Sequence, residues 1–294
     1  MIDELKTFIA VVDFKNFTRA GESINLSQPS VSTHIKNLES YFNTQLINRS
    51  IKQKNIVITE SGYLLYKKAK EILHMIDSTK TELRSLDGHV KGHLRIGASL
   101  TIGEYLLPKF LSKFSTKYPG IEFELIIENT HHICSKIKNF TLDIGLIEGT
   151  TPSSDFNQNY FLEDKMVIAC SKNSDILNGT FSIDKLQNKN WIVREEGSGT
   201  RDYINMFLTT NKIVPNNLMV LGSNYAIKEA VKNNLGITII SSYVTAPAVE
   251  NNELETIELE KSYTRPFSYI LPKNINTSHI TNLFIKELVE YTKK

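Results

Sequence analysis

The spacing of apolar residues changes along the chain, and each spacing predicts a different kind of structure. In residues 1–58 apolar residues recur every three to four positions, which predicts helices over about 3–13, 18–25 and 28–42. A four-residue break, Asn25-Leu26-Ser27-Gln28, separates the second helix from the third. Two short helices joined by a tight break are typical of a helix-turn-helix.

The third predicted helix has a start signal and two contrasting faces. Ser27 is placed to cap it, as Thr18 is for the second helix, and Pro29 falls in the first turn, where its missing N–H costs nothing. One face is apolar and carries Val31, Ile35, Leu38 and Phe42. The opposite face carries hydrogen-bonding side chains and one cation, at Ser32, Thr33, Lys36, Asn37 and Ser40. Such a polar face suits a helix that enters the major groove of DNA.

Residues 46–58 predict a β-hairpin, because β-branched residues flank a turn-forming Lys-Gln-Lys-Asn stretch. Lys52 and Lys54 at its tip are placed to contact the phosphate backbone or the minor groove. The alternative for both lysines is a solvated turn without a DNA contact.

Residues 59–87 predict one long helix that ends at Asp87-Gly88. Apolar positions spaced by four and three form a heptad seam along it, at Leu65, Ala69, Ile72, Ile76, Thr79, Leu83 and Leu86. Nearly thirty residues span about 40–45 Å, too long for a surface helix on a small domain. We therefore expect this helix to pair with its copy in a second chain, with packing inside one core as the alternative.

The remaining chain alternates apolar strands with amphipathic helices, which is typical of a parallel α/β sheet. A first set of strands is predicted at 93–99, 121–128 and 142–149, and a second at 166–170, 191–195, 218–222 and 237–241. Helices are predicted between them, one with Leu106, Leu107, Phe110, Leu111 and Phe114 on its buried face, and others at 130–139, 200–210 and 224–233. A strand at 267–271 and a helix at 277–292 are expected to return to the first set. Two lobes joined by crossovers near 161–163 and 264–267 would enclose a cleft.

Composition and charge narrow the class of protein. The 294 residues, with 40% hydrophobic and 22% charged side chains, describe an ordinary globular protein of two or three domains. No apolar run reaches the ~20 residues of a membrane span, and the start MIDELKTF is not a secretory signal, so we expect a cytoplasmic location. The formal net charge is only +2. Such a small excess predicts modest phosphate neutralisation by each subunit, which favours several subunits on one DNA.

No spacing in the sequence is typical of a catalytic or metal site. Cys134 and Cys170 have no CxxC partner and are interpreted as buried free thiols, with a redox-sensing pair as the alternative. The seven histidines are scattered, and no G-x-S-x-G, P-loop or H-E-x-x-H motif occurs. We therefore expect no catalytic residue, no metal and no cofactor.

Several motifs of the N-terminal segment are similar to those of the LysR-type transcriptional regulators. They are Phe17-Thr18-Arg19-Ala20, Leu26-Ser27-Gln28-Pro29-Ser30-Val31-Ser32, Ile35-Lys36-Asn37-Leu38-Glu39, Leu46, Arg49 and Thr59-Glu60-Ser61-Gly62. The resemblance implies an all-α winged helix-turn-helix, a coiled-coil linker helix and an α/β two-lobe effector domain of the periplasmic-binding-protein-like type 2. The motif REEGSGTR at 194–201 resembles the branch that regulates sulfur and carbon-dioxide assimilation genes.

The chain departs from the family pattern at four positions. Thr33 and His34 stand where the family usually has Arg and Gln, which weakens the transfer of base-contact roles. Ile47 replaces a common Phe, and Gly21 replaces an alanine, which affects packing and helix stability. The residues predicted to contact DNA are Gln28, Ser30, Ser32, Thr33, His34, Lys36, Lys52 and Lys54.

Small polar residues follow one strand of each lobe and open a helix there, where ligands of open α/β sheets bind. The predicted effector-binding residues are Ser99, Leu100, Thr101, Glu148, Gly197, Ser198, Gly199, Thr200 and Arg201. Hydroxyls, backbone N–H groups and helix N-termini are typical of an anion site. In the alternative reading Ser99 and Thr101 cap a helix, the glycine stretch is a tight turn, and Arg201 faces solvent or bridges the lobes.

Glu148 is the unexpected member of this set, because a carboxylate repels an anionic ligand. It is expected either to accept hydrogen bonds from a zwitterion or polyol, or to pair with Arg201 or Arg194 across the lobes. Asn129, Thr130, Ser223 and Asn224 also lie at strand ends and are weaker candidates.

The sequence thus predicts a metabolite-responsive transcriptional regulator with three parts. These are a DNA-binding domain at 1–58, a dimerising helix at 59–88 and an effector domain at 89–294, with lobe I at 89–161 plus 267–294 and lobe II at 162–266. Expected partners are double-stranded promoter DNA, a small anionic or zwitterionic effector, a second chain within a homodimer and homotetramer, and RNA polymerase; no membrane is expected. The competing hypothesis is a solute-binding or enzymatic protein of the same α/β fold.

Overall fold

The computed structural model describes residues 1–49, 56–85, 90–149, 151, 155–259, 263–273 and 276–293. The chain forms two compact units, Met1–Lys80 and Thr81–Lys294. The first unit contains α1 (Ile2–Phe14), α2 (Phe17–Ser23), α3 (Gln28–Tyr41), β1 (Ile47–Arg49), β2 (Ile56–Ile58) and most of α4 (Glu60–Ser85). The second contains β3 (Gly92–Ala98), α5 (Leu107–Lys117), β4 (Ile121–Ile127), α6 (Thr130–Lys138), β5 (Ile144–Glu148), β6 (Phe156–Cys170), β7 (Asn190–Val193), α7 (Gly199–Thr210), β8 (Asn217–Val220), α8 (Asn224–Lys232), β9 (Thr238–Ser241), α9 (Ser242–Glu250), β10 (Glu255–Ile257), β11 (Thr264–Pro272) and α10 (His279–Thr292).

The three N-terminal helices bury their apolar stripes against one another, with Phe8, Val31 and Ile35 completely inaccessible to solvent. The predicted cap of α2 is wrong, because Asn16 starts the helix by accepting the amides of Thr18 and Arg19. Phe42 is also wrongly placed in the core. It follows the end of α3 and is 41% exposed, because the helix stops before its apolar stripe reaches this position.

The break between α2 and α3 folds back onto α2 at Gly21. The amide of Leu26 donates to the carbonyl oxygen of Gly21 at 2.8 Å. A Cβ atom on Gly21 would lie 2.4 Å from the carbonyl oxygen of Leu26, closer than any side chain tolerates. The close approach explains why glycine replaces the alanine that is usual in the family.

The predicted hairpin is confirmed, since β1 and β2 pair antiparallel with Ile47 opposite Ile58. Its turn, with Lys52 and Lys54, lies outside the described residues. The heptad seam of α4 is divided. Leu65 and Ala69 are buried in the core of the first unit, whereas Ile72 and Leu83 are 41% and 61% exposed. The exposed part of the predicted seam therefore begins at Ile72 and not at Leu65.

The second unit contains one large sheet with the strand order β10-β6-β11-β5-β3-β4, with β9 beside β6, and a separate β7-β8 pair. The parallel prediction is right for β3 with β4, β3 with β5, and β7 with β8. It is wrong for β6 and β11, which pair antiparallel with each other. The difference arises because a burial pattern indicates which faces are covered and not the direction of a strand.

The crossovers between the lobes are long strands and not short linkers. Strand β6 runs for 15 residues and β11 pairs along it, with a register shift between Phe267 and Ser268. Helix α9 and strand β10 were not predicted; α9 contains Pro247 and only a weak apolar stripe. Lobe I packs α5 and α10 against its strands, and lobe II has a separate apolar core around Trp191 and Phe207.

Candidate DNA-binding surface and effector cleft

Buried residues of α3 determine which of its faces meets solvent. Ser27 caps the helix as predicted, since its Oγ accepts the amide of Ser30 at 3.3 Å. Val31, Ile35 and Leu38 are at most 1% exposed and hold the helix against the core. The opposite face is accessible: Gln28, Thr33, Lys36, Asn37 and Ser40 are exposed, and Ser30 and Ser32 are half-buried.

Several polar side chains of this face form hydrogen bonds within α3. Gln28 Nε2 donates to Ser32 Oγ at 3.0 Å, and the hydroxyls of Ser27 and Ser30 lie 2.8 Å apart. The Thr33 hydroxyl donates to the carbonyl oxygen of Pro29 at 3.0 Å. These hydrogen bonds orient the polar side chains along the helix surface.

His34 lies on the flank of α3 and contacts α1. Its Nδ1 is 2.8 Å from the hydroxyl of Thr7, which is completely buried. A DNA contact by His34 would compete with this contact inside the protein. Glu39 has an analogous role, because its Oε1 accepts the amides of Leu46 and Ile47 at 2.9 and 3.2 Å and so ties α3 to the wing.

Glycines bring the predicted effector-binding loops of the two lobes together. Gly197 has a φ of 83°, and its carbonyl oxygen accepts the amide of His131 from lobe I at 3.0 Å. A Cβ on Gly199 would lie 2.4 Å from the carbonyl oxygen of Glu148. The start of α7 therefore touches the end of β5, and no side chain fits between them.

The carboxylate of Glu148 is where these loops converge. Its Oε1 accepts the amide of Thr101 at 2.8 Å, and its Oε2 accepts the hydroxyl of Thr200 at 3.0 Å. Thr101, Thr200 and Glu148 are all at most 2% exposed. Two of the predicted effector-binding residues, Thr101 and Thr200, thus bind a third, Glu148, directly.

Arg265, which the sequence analysis missed, is the cation of this cluster. It lies on β11 and is 2% exposed. Its Nη1 donates to Glu148 Oε2 at 2.6 Å and to Thr200 Oγ1 at 2.9 Å, and its Nη2 donates to Thr101 Oγ1 at 3.2 Å. Burial alone would raise the pKa of the Glu148 carboxyl, but the Arg265 charge and the Thr101 hydrogen bonds outweigh it and hold the pKa below its usual value.

A second buried carboxylate completes the cluster. Asp164 on β6 accepts Nε of Arg265 at 2.7 Å and the hydroxyl of Ser241 at 2.6 Å. Burial raises the pKa of Asp164, and these two partners only partly offset that effect. One guanidinium therefore faces two carboxylates, and we call Thr101, Glu148, Asp164, Thr200 and Arg265 the inter-lobe cluster.

The predicted pairing of Glu148 with Arg194 or Arg201 is wrong. Arg194 is 1% exposed and binds Glu195 through Nε and Nη2, each at 2.7 Å. Arg201 donates to the carbonyl oxygen of Arg194 at 2.9 Å and stays within lobe II. Arg265 reaches Glu148 instead because β11 crosses between the lobes beside β5.

Other predicted residues surround the cluster. Ser99 is buried, and its amide donates to the carbonyl oxygen of Leu146. Leu100 is half-buried. Ser198 is buried and precedes the first residue of α7. Of the weaker candidates, Asn129 donates to Glu195 at 3.2 Å across the lobes, Asn224 donates to Thr101 at 3.4 Å, and Ser223 caps α8.

Two buried hydroxyls at the strand ends, those of Ser99 and Thr130, lack a hydrogen-bond partner among the described residues. Ser99 Oγ lies near Glu148 without a hydrogen bond of ordinary geometry, although its proximity lowers the pKa of that carboxyl. The Oγ1 of Thr130 also makes no hydrogen bond with any described residue. A buried hydroxyl without a partner costs about 1–3 kcal/mol, so this edge of the sheet is suited to a polar ligand.

A pocket of about 240 Å³ adjoins the inter-lobe cluster. Its lining comes from both lobes and includes two members of the cluster, Glu148 and Arg265. The other lining residues are Gly149, Gly199, Asp202, Tyr203, Met206, Thr264 and Pro266.

The described residues contain no group of three or more histidines, cysteines and acids arranged to hold a metal ion. Cys134 and Cys170 are both free thiols. Burial raises the pKa of each, that of Cys170 to about 11, so both stay protonated near neutral pH. No helix in the described part of the chain is long and apolar enough to span a bilayer.

Comparison with known proteins identifies the family. Residues 2–63 match the family described as bacterial regulatory helix-turn-helix protein, lysR family, and residues 87–293 match the LysR substrate binding domain. The chain is 40% identical over 289 residues to the HTH-type transcriptional regulator CysL of Bacillus subtilis (strain 168), which covers 97% of this chain and 96% of that protein. It is 32% identical over 290 residues to the HTH-type transcriptional activator CmpR of Synechocystis sp. (strain ATCC 27184 / PCC 6803 / Kazusa), which covers 98% of this chain and 94% of that protein.

A solved structure resembles the second unit. The regulatory domain of CcmR from Synechocystis PCC6803, in complex with 2-PG, has a TM-score of 0.65 and 27% identity, and covers 69% of this chain and 99% of that chain. The chain therefore belongs to the LysR-type transcriptional regulators. Its similarity to CysL and CmpR agrees with the branch that the REEGSGTR motif indicates.

Proposed function

We propose that this LysR-type regulator binds promoter DNA through the exposed face of α3, with Gln28, Ser30, Ser32, Thr33 and Lys36 as the contacting residues. The observation that supports the proposal is the orientation of α3, which buries its apolar stripe and leaves Thr33 and Lys36 exposed. The hydroxyls and amide are suited to base edges, and the Lys36 ammonium to a phosphate. Lys52 and Lys54 remain candidates for backbone contacts.

Two variants separate base reading from backbone binding. Thr33→Ala should change which base pairs are preferred, because it removes a hydroxyl that is proposed to face base edges in the DNA major groove. Lys36→Ala should weaken specific and random DNA alike and reduce the dependence of log K on log salt by about one unit. Fluorescence anisotropy with the chain's own upstream DNA and a shuffled duplex measures both effects. Equal losses on both duplexes for both variants would contradict the division of roles.

We infer that the second unit senses a small anionic metabolite at the inter-lobe cleft. The amide of Thr101, the hydroxyl of Thr200 and the guanidinium of Arg265 are donors from both lobes and from a crossover strand, and they already hold one carboxylate. That the related CcmR regulatory domain was solved with 2-PG supports an anion of that size. We further propose that the chain acts in the cytoplasm and catalyses no reaction, because its targets are DNA and an effector.

The coupling between the two functions is proposed to pass through the oligomer. Ligand binding between the lobes would alter how dimers pack in a tetramer and so change the bend of the promoter. Footprinting and circular-permutation gel shifts, with and without saturating effector, test this step. An unchanged footprint and bend would show that the coupling does not exist.

A further inference from the structure

The groups that converge on Glu148 have the composition of an anion site. The Thr101 amide opens a helical turn, Thr200 supplies a hydroxyl, and Arg265 supplies a positive charge. Arg265 Nη1 also donates to Thr200 Oγ1 at 2.9 Å, so the Thr200 hydrogen points at the carboxylate and not back at the guanidinium. Three donors are therefore aimed at one position, which an acceptor with negative charge must occupy.

We propose that Glu148 is the chain's own occupant of this anion site, and that an anionic effector acts by replacing its carboxylate. The inference rests on the proposed sensing function and names how that site is regulated. With the Glu148 carboxylate in place, this residue and the three donor residues Thr101, Thr200 and Arg265 are each at most 2% exposed. No external anion therefore reaches the donors. The contacts of Glu148 with Thr101 of one lobe and Thr200 of the other are then the self-occupied state of the site.

Charge and space both permit the exchange. Arg265 keeps Asp164 as a partner at 2.7 Å when Glu148 leaves, and an incoming monoanion restores the original charge of the cluster. The adjoining pocket of about 240 Å³, whose lining includes Gly149 and Tyr203 as well as Glu148 itself, offers the displaced side chain a place outside the cluster. A neutral ligand gains neither the Arg265 charge nor the amide dipole at this position, so the site selects anions.

The test removes the internal occupant and supplies an external one. In full-length Glu148→Ala the vacated position should accept acetate, which matches the carboxylate that was removed. Sodium acetate should then raise the thermal unfolding midpoint of the variant by about 3–6 °C above the same ionic strength of sodium chloride. The wild-type chain should respond equally to both salts. The amide of Glu148→Gln is a poorer occupant than a carboxylate, so the acetate-specific shift of this variant should lie between those of the wild type and Glu148→Ala.

Asp143→Ala is the matched control, because it also removes a carboxylate bound by an arginine, Arg95, at 2.7 Å. Arg95 is 30% exposed, so no enclosed site is left and acetate should act as chloride does. Equal midpoints of Glu148→Ala in acetate and chloride overturn the proposal. If Glu148→Ala folds in neither salt, the measurement is made on Glu148→Gln. A midpoint shift in acetate no greater than that of the wild type would then overturn the proposal. These readouts involve no DNA, so their failure is distinct from a failure of promoter binding.

Discussion

Replacing Arg265 by methionine should destabilise the second unit strongly and in a pH-dependent way. The substitution keeps most of the side-chain volume and removes the cation that lies 2.6 Å from Glu148 and 2.7 Å from Asp164. Both carboxylates are at most 2% exposed and would be left buried without a counter-charge. Breaking a buried pair in this way costs about 3–5 kcal/mol. For a unit of some two hundred residues, that cost lowers the unfolding midpoint by about 6–20 °C.

The pH dependence follows from the direction of each pKa. In the wild-type chain the pKa of Glu148 lies below its usual value, so its stabilising contribution is complete near neutral pH and is lost on acidification. The pKa of Asp164 lies above its usual value, so its contribution changes in the opposite sense. Without Arg265 both carboxyls are buried and uncompensated, and both pKa values rise. Acidification from about pH 8 to about pH 5 should therefore protonate them in the folded variant and narrow its stability gap to the wild type.

Circular dichroism melts of the full chain at the two pH values measure the gap. Lys117→Met is the control, because it breaks an ion pair with Glu287 in which the lysine is 57% exposed, and it should leave the midpoint unchanged. A midpoint of Arg265→Met equal to that of the wild type, or a gap that widens on acidification, would refute the assigned role of Arg265.

Two further predictions concern the packing of the lobes and the assembly of the chain. Gly199→Ala should lower the unfolding midpoint, because its Cβ would lie 2.4 Å from the backbone oxygen of Glu148. Gly222→Ala is the control and should leave the midpoint unchanged, because its Cβ would have no atom within 4 Å. Similar midpoints for the two variants would show that the lobes do not need this contact. Ile72→Glu should dissociate the proposed dimer, because it places a charge on an apolar position of the α4 seam that is 41% exposed. Light scattering measures the mass in solution, and a mass equal to that of the wild type would exclude this seam as the interface.

The sequence was most informative where local rules determine structure. The cap Ser27 and the stripe Val31, Ile35 and Leu38 were correctly predicted, because helix period and capping act over a few residues. The cap of α2 was misassigned by two positions, since Asn16 and Thr18 are both good caps and only the fold selects one.

The composition of the inter-lobe cluster was predicted only in part. Thr101, Glu148 and Thr200 were identified from strand ends, which follow from the α/β pattern. Arg265 was missed because its partners lie far away along the chain, at Glu148 and Asp164, and pairing over such distances is not encoded in any local spacing. A signal did exist: Arg265 and Phe267 share the buried face of β11, and a buried arginine demands an anionic partner.

The central claim is that this chain recognises a DNA sequence through α3. The most direct measurement is the affinity of the full-length protein for its own upstream region compared with a shuffled duplex of equal length, by anisotropy at physiological salt. We predict that the upstream DNA binds at least about a thousandfold more tightly, as is typical of specific regulators. Equal affinity for the two duplexes, with a wild-type fold, would contradict the account.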